Sequence, residues 1–319
     1  MKLETKRLLV QVLGIIVFMA LIVGILFSSI FFDFRWNQAL RDALPGTAYF
    51  FRFVTEFGGT LTYLAIFFAI FWGIDKNLGK SLLSIYVFGS TINYYAKAAI
   101  NFPRPPESGW LLIDASHMST PSGHAMSSSI FWGYLAQKSK RVVTWVISIV
   151  IIVLVGLSRI YLGVHWLGDI LTGWLFGIIV LLFVWMVEEP LRHFLSKVNP
   201  IYIYIGIAIL GGVMMGLTQW LYPYADLNDF GSDGGKIMGL GLGLALEQAF
   251  VKFEITPVEG KRWKLILRVM IGMLIFAIVF LGLYLLLDTS LFYMEALQFV
   301  ITLVYGIFLW PFIFTKLKF

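Results

Sequence analysis

Apolar runs of roughly 20 residues recur along the whole chain, separated by short polar connections. About 20 such residues in a helix are enough to cross the hydrocarbon core of a bilayer. On that measure, spans are expected at about 8–32, 58–74, 81–100, 123–137, 142–161, 166–187, 201–221, 237–251, 265–287 and 291–314, which makes ten. The run at 123–137 is short for a span, and 48–57 reads as an interfacial helix. The first run follows MKLETKR and is longer than the roughly 7–15 apolar residues of a signal peptide, so it reads as a transmembrane helix. The predicted fold class is an all-α integral membrane protein.

Composition narrows the class further. Of 319 residues, 59% are hydrophobic and 13% charged, far from a soluble domain. That excludes a soluble globular protein and a disordered or collagenous chain. Nucleic acid is no expected partner, because the net charge of +6 is explained by cations in cytoplasmic loops. The absence of cysteine excludes disulfides, thiol chemistry and cysteine-held metals. With the N-terminus inside, 17 of the 24 Lys and Arg fall on the cytoplasmic side, among them Lys2, Lys261 and Lys318. Seven fall outside: Arg35, Arg41, Arg52, Lys97, Arg104, Arg159 and Lys236. The positive-inside rule then puts both termini in the cytoplasm. Residues 1–198 hold 16 Lys+Arg against 10 Asp+Glu, whereas 199–319 hold 8 of each. The chain divides accordingly into a six-helix core, 1–198, and an appended module of about four transmembrane helices, 199–319, entered after Glu188-Glu189-Pro190.

The candidate chemistry lies in three clusters at the outer ends of the third to sixth spans. These are Lys97-x6-Arg104-Pro105, Pro121-Ser122-Gly123-His124, and Ser158-Arg159-x5-His165-x3-Asp169. Three cations at one end of a helix bundle need an anion or a function to justify them. Arginine forks suit phosphate oxygens, and lysine supplies a compact charge. Ser122 and Gly123 open a helix, where free N–H groups and the helix dipole favour an anion. A phosphate fits such a site best. His165 and Asp169 are four residues apart, so on a helix they share a face. The carboxylate would fix the imidazole tautomer and leave the other nitrogen as a nucleophile. His124 is placed to protonate a leaving oxygen. With one carboxylate in the clusters, the donor set argues against a metal-dependent phosphatase, and no cofactor is expected.

The three clusters together resemble the signature of the type 2 phosphatidic acid phosphatases, whose superfamily includes the vanadium haloperoxidases. All three parts are met in order, over roughly residues 55–190 and the helix before them, but not over 199–319. The resemblance implies a six-helix membrane core and a metal-independent lipid phosphatase. It implies that His165 forms a phosphohistidine intermediate, oriented by Asp169, while His124 protonates the departing lipid oxygen. Lys97, Arg104, Ser122, Gly123 and Arg159 would bind the phosphoryl oxygens. The expected partner is a lipid phosphate monoester or polyprenyl diphosphate arriving from the bilayer, at a site on the extracytoplasmic face.

Taken singly, each cluster has an ordinary structural reading. Lys97 serves as a snorkelling helix-end lysine, Pro121-Ser122-Gly123 as a helix start, and His165 with Asp169 as a hydrogen-bonded pair. Their coincidence on one membrane face favours the chemistry. A phosphotransferase using the same intermediate is the alternative, and a transporter the non-enzyme one. His117 reads as a residue of the site's rim, His193 as part of a cytoplasmic loop, and Glu247 as a paired or snorkelling carboxylate. Trp110 and Trp166 flank the site, in reach of a lipid chain.

Overall fold

The computed structural model describes residues 3–115, 118–221, 227–255 and 262–317. Lys2, His117, Lys261 and Lys318 lie outside the described residues. Thirteen α-helices account for most of them: α1 (Leu3–Leu26), α2 (Arg35–Ala43), α3 (Ala48–Thr55), α4 (Thr60–Gly73), α5 (Lys76–Ile100), α6 (Gly123–Ser139), α7 (Val142–Tyr161), α8 (Leu167–Leu195), α9 (Pro200–Leu221), α10 (Leu227–Phe250), α11 (Arg262–Leu286), α12 (Phe292–Val304) and α13 (Trp310–Lys316). The chain is an all-helical integral membrane protein. Among the described residues, six helical stretches are long and apolar enough to cross a bilayer, or seven if Ala48–Gly58 and Thr60–Gly73 form one broken span. Three expected spans fall on helices that do not pass this test. The α6 helix has 17 residues and several serines, and α5 and α10 carry charges. Side chains such as Ile266, Met270, Leu274 and Ile278 are exposed in a row at every fourth position of α11. In water that row would be a liability, whereas in a membrane it meets acyl chains.

The helices group into two compact units: Met1–Tyr63 with Phe88–Pro190, and Leu64–Val87 with Leu191–Phe319. In the first, α6 packs closely on α8 through small residues. A Cβ on Gly173 would lie 2.8 Å from the Ser122 carbonyl oxygen, and one on Gly177 would lie 2.6 Å from Ser129 Cβ. Gly-x3-Gly spacing puts both on one helix face, so the backbones approach without a side chain between them. Phe51 of α3 stacks on Tyr161 of α7 with ring centroids 4.5 Å apart. The short helix α2 was not anticipated, because nine amphipathic residues make no span-length signal.

In the second unit α10 lies between α9 and α12. A Cβ on Gly231 or Gly235 would meet backbone atoms of α12, while one on Gly241 would meet the backbone of α9. Lys236 and Asp233 are buried as an ion pair at 3.0 Å, with Lys236 Nζ 5.0 Å from the Phe299 ring centroid. Glu247 is fully buried, 2.5 Å from Lys76 Nζ and 3.8 Å from Lys80 Nζ, so it is paired rather than snorkelling. His193 sits in the last turn of α8 rather than in a loop, because that helix runs through Pro190. The expected last span runs as Phe292–Lys316 and contains a π turn at Tyr305–Leu309. Pro311 accounts for this: it has no N–H for the carbonyl four residues back, and its ring crowds that turn.

Candidate active site

All eight residues singled out by the three motifs belong to the first unit. His165 lies in the turn between α7 and α8, not on a helix, and Asp169 lies in the first turn of α8. The pair still forms: His165 Nδ1 is 3.0 Å from Asp169 Oδ2. Asp169 is fully buried, and four donors surround its carboxylate. Oδ2 accepts from the Trp166 N–H at 2.8 Å, from the Ser119 hydroxyl and from His165, and Oδ1 accepts from the Thr120 hydroxyl. Held this way it stays an acceptor, so Nδ1 carries the imidazole proton and Nε2 the lone pair. Burial, then the cations Arg104, Arg159 and Lys97, hold the His165 imidazole well below its ordinary value of 6.5. The ring is therefore neutral at physiological pH, with Nε2 left as an acceptor.

Arg104 faces that nitrogen. Its Nη1 donates to the Val164 carbonyl at 2.8 Å and lies 3.1 Å from His165 Nε2. The loop carrying Arg104 is fastened on both sides by tryptophan N–H groups, Trp166 to the Pro103 carbonyl at 2.9 Å and Trp110 to the Pro105 carbonyl at 3.0 Å. Both tryptophans thus shape the site through their polar edges.

Lys97, in the last turn of α5, donates to the carbonyls of Met118 and Ser119 at 2.6 and 3.1 Å. This fixes the segment that supplies the two hydroxyls to Asp169. Ser122 caps α6, its Oγ accepting from the Ala125 N–H, while its own N–H donates to the Asp169 carbonyl at 2.9 Å. The start of α6 is thereby tied directly to the start of α8. A Cβ on Gly123 would lie 3.1 Å from Asn93 Oδ1, and a Cβ on Gly58 would lie 3.0 Å from the His124 ring. Arg159 is buried, with Nη1 donating to Thr55 Oγ1 at 3.0 Å and Nε without a partner. A buried guanidinium with an unused donor suits an anion that completes its hydrogen bonding. The charges of Arg159, Arg104 and Lys97 act on both histidines.

Motif spacing did not identify Ser119, Thr120, Thr55 or Asn37. Ser119 and Thr120 immediately precede Pro121, so two hydroxyls beside the motif were a legible signal. Thr55 and Asn37 reach the site from 104 and 128 positions away in sequence, and no local pattern marks them.

Comparison with known proteins gives the family of the chain. Residues 78–192 match the PAP2 superfamily, and residues 232–319 match the PAP2 superfamily phosphatase transmembrane extension. Sphingosine-1-phosphate phosphatase 1 of Rattus norvegicus is 29% identical over 256 residues, covering 71% of this chain and 57% of the relative. Phosphatidylglycerophosphatase B of Bacillus subtilis is 34% identical over 128 residues, 36% of this chain and 62% of the relative. The chain thus spans less than two thirds of the length of these curated relatives. A crystal structure of a transmembrane PAP2-type phosphatidylglycerolphosphate phosphatase from Bacillus subtilis superposes with a TM-score of 0.47 at 24% identity, covering 59% of this chain and 97% of that one. Through residues 78–192 and the extension at 232–319, the chain belongs to the PAP2 superfamily.

Proposed function

We propose that this chain is a metal-independent lipid phosphatase acting through a phosphohistidine at His165. The observation that carries the proposal is the alignment of Asp169, the His165 ring and Arg104. One ring nitrogen is held by a carboxylate at 3.0 Å, and the other faces a phosphate-binding cation at 3.1 Å. In the reaction the Nε2 lone pair attacks phosphorus and the bond from phosphorus to the lipid oxygen breaks. His124, in its protonated form, gives its proton to that oxygen. Water then attacks phosphorus while losing a proton to His124, and the phosphorus–nitrogen bond breaks with its electron pair returning to Nε2, releasing phosphate and restoring both histidines. Lys97, Arg104, Arg159 and the backbone N–H groups at Ser122 and Gly123 stabilise the charge on the phosphoryl oxygens in the transition state. The dianion itself favours the protonated form of His124.

The substrate class is a lipid phosphate monoester or a polyprenyl diphosphate, entering laterally from the bilayer. The likeness to a sphingosine-1-phosphate phosphatase and a phosphatidylglycerophosphatase favours a monoester. We also propose ten spans, cytoplasmic termini and an extracytoplasmic site, with 199–319 as a module appended to a 1–198 core. In support, six of the seven cations assigned outside have partners in the first unit or belong to the motifs: Arg35 with Asp33, Arg52 with Glu56, Arg41 with two backbone carbonyls, and Lys97, Arg104 and Arg159 at the site. The test is phosphate release by the purified protein in detergent with EDTA, over sphingosine-1-phosphate, phosphatidylglycerophosphate, phosphatidate and undecaprenyl diphosphate. Release from one class that vanishes in His165→Ala supports the proposal, and release that persists in that variant refutes it.

A further inference from the structure

We infer that α2 is a positioning element for the nucleophile and that Asn37 is its working residue; this rests on the phosphatase reading above. The α2 helix lies outside the matched region 78–192. Asn37 is fully buried, and its Nδ2 donates to two backbone carbonyls, Ile160 at 2.7 Å and His165 at 3.0 Å. Those carbonyls bracket the turn that carries the chain from the end of α7 to the nucleophile. Carbonyls at a helix C-terminus have no partner within the helix, and Asn37 supplies one from outside. Arg41, one turn further along α2, continues the same work. Its Nε donates to the Tyr161 carbonyl at 2.8 Å and its Nη2 to the Gly109 carbonyl at 2.6 Å. Between them sits Gly163 at φ +83°, where a Cβ would lie 2.1 Å from the Gly109 oxygen, so the turn admits only glycine. Leu40, between the two polar residues, packs against the apolar clusters of Phe51 with Tyr161 and of Ile160 with Ile170.

The consequence concerns the reacting atom. Both ring contacts of His165 depend on where its backbone lies, and Asn37 holds that backbone directly. A fully buried amide costs more than an apolar residue of its size unless its hydrogen bonds are made. Here the Nδ2 bonds are made to the segment that bears the nucleophile, while Oδ1 is buried with no hydrogen-bond partner among the described residues, so the two donated bonds are what offset the burial of the amide. Asn37 touches neither substrate nor ring, so its effect is on geometry. Loss of that geometry should lower turnover more than substrate binding.

The experiment uses the full chain in detergent, with Asn37→Leu compared to wild type in phosphate-release kinetics and amide hydrogen exchange. The expected result is a kcat roughly 10- to 100-fold lower with KM within about threefold, and faster exchange confined to residues 160–167 and the Gly109 loop. Unchanged kcat, or protection lost throughout the chain in step with activity, overturns the inference. If Asn37→Leu does not fold, Arg41→Lys keeps the charge but loses a donor. It should show the same confined change in exchange with a smaller fall in kcat, and unchanged exchange there overturns the inference. If wild type releases no phosphate from any lipid, the phosphatase reading fails and exchange at 160–167 alone decides whether α2 holds the turn.

Discussion

The Ser122 N–H donates to the carbonyl of Asp169 at 2.9 Å, so the residue that opens α6 is bonded to the residue whose carboxylate holds the His165 ring. Two of the three motifs are thereby joined through backbone, before any side chain of the site is considered. Lys97, from the remaining motif, fixes Met118 and Ser119 just ahead of that junction. The site is a set of short segments tied end to end, and several predictions rest on those ties.

Replacing Asp169 by Asn should leave the fold intact but slow phosphate release strongly, because an amide presents a donor where Nδ1–H needs an acceptor. Ser119→Ala and Thr120→Ala should each act in the same direction and more weakly. Losing one hydrogen bond to a buried charge costs about 1–3 kcal/mol, or roughly 5- to 150-fold in rate if expressed in the transition state. Full turnover in Asp169→Asn would refute the orienting role.

The acid limb of the pH–rate profile should lie below the ordinary imidazole value. His165 is depressed by burial and by Arg104, Arg159 and Lys97, so it stays an unprotonated nucleophile as pH falls through 6.5. The unfolded chain takes up that proton near 6.5 and the folded chain does not, so stability should decline as pH drops below 6.5. Arg104→Gln removes the largest of the three cationic contributions and should move the limb upward. A limb unmoved in that variant would show that the Arg104 charge does not act on His165.

Chelator should leave activity unchanged, since the proposed mechanism draws only on histidine, one carboxylate and cations. Vanadate should inhibit, because its five-coordinate form resembles the transition state that the cations are arranged to hold. Loss of activity in EDTA restored by magnesium would sink the metal-free mechanism.

In the second unit, Gly235→Leu should lower the melting temperature in detergent. Its Cβ would lie 2.3 Å from the Ala296 carbonyl oxygen, so α10 and α12 must separate, at a cost of about 1–3 kcal/mol or more. An unchanged melting temperature would mean that this close approach contributes nothing to stability.

The site was largely legible before its structure, for a physical reason. Lys97 with Arg104, Ser122 with Gly123, and His165 with Asp169 are each within seven positions, so spacing marked them as groups, although His165 meets Asp169 from the turn before α8 and not from the shared helix face the spacing predicted. Asn37 and Thr55 were invisible because their partners are backbone or arginine groups more than a hundred positions distant. Helix types were legible from apolar run length, while α6 and α10 show its limit. Serines and buried charges on packed faces lower hydropathy without marking a loop. The glycines of α10 at 231, 235, 239 and 243 recur every fourth position, and that pattern signalled close packing that a span count overlooks.

The most direct test of the central claim is to quench the purified protein during turnover of the lipid it hydrolyses, under alkaline conditions that preserve phosphohistidine, and locate the phosphoryl group by peptide mass spectrometry. The account predicts modification at His165, absent in His165→Ala. Phosphate release with no phosphoryl group on His165, or a phosphoryl group on another side chain, would contradict it.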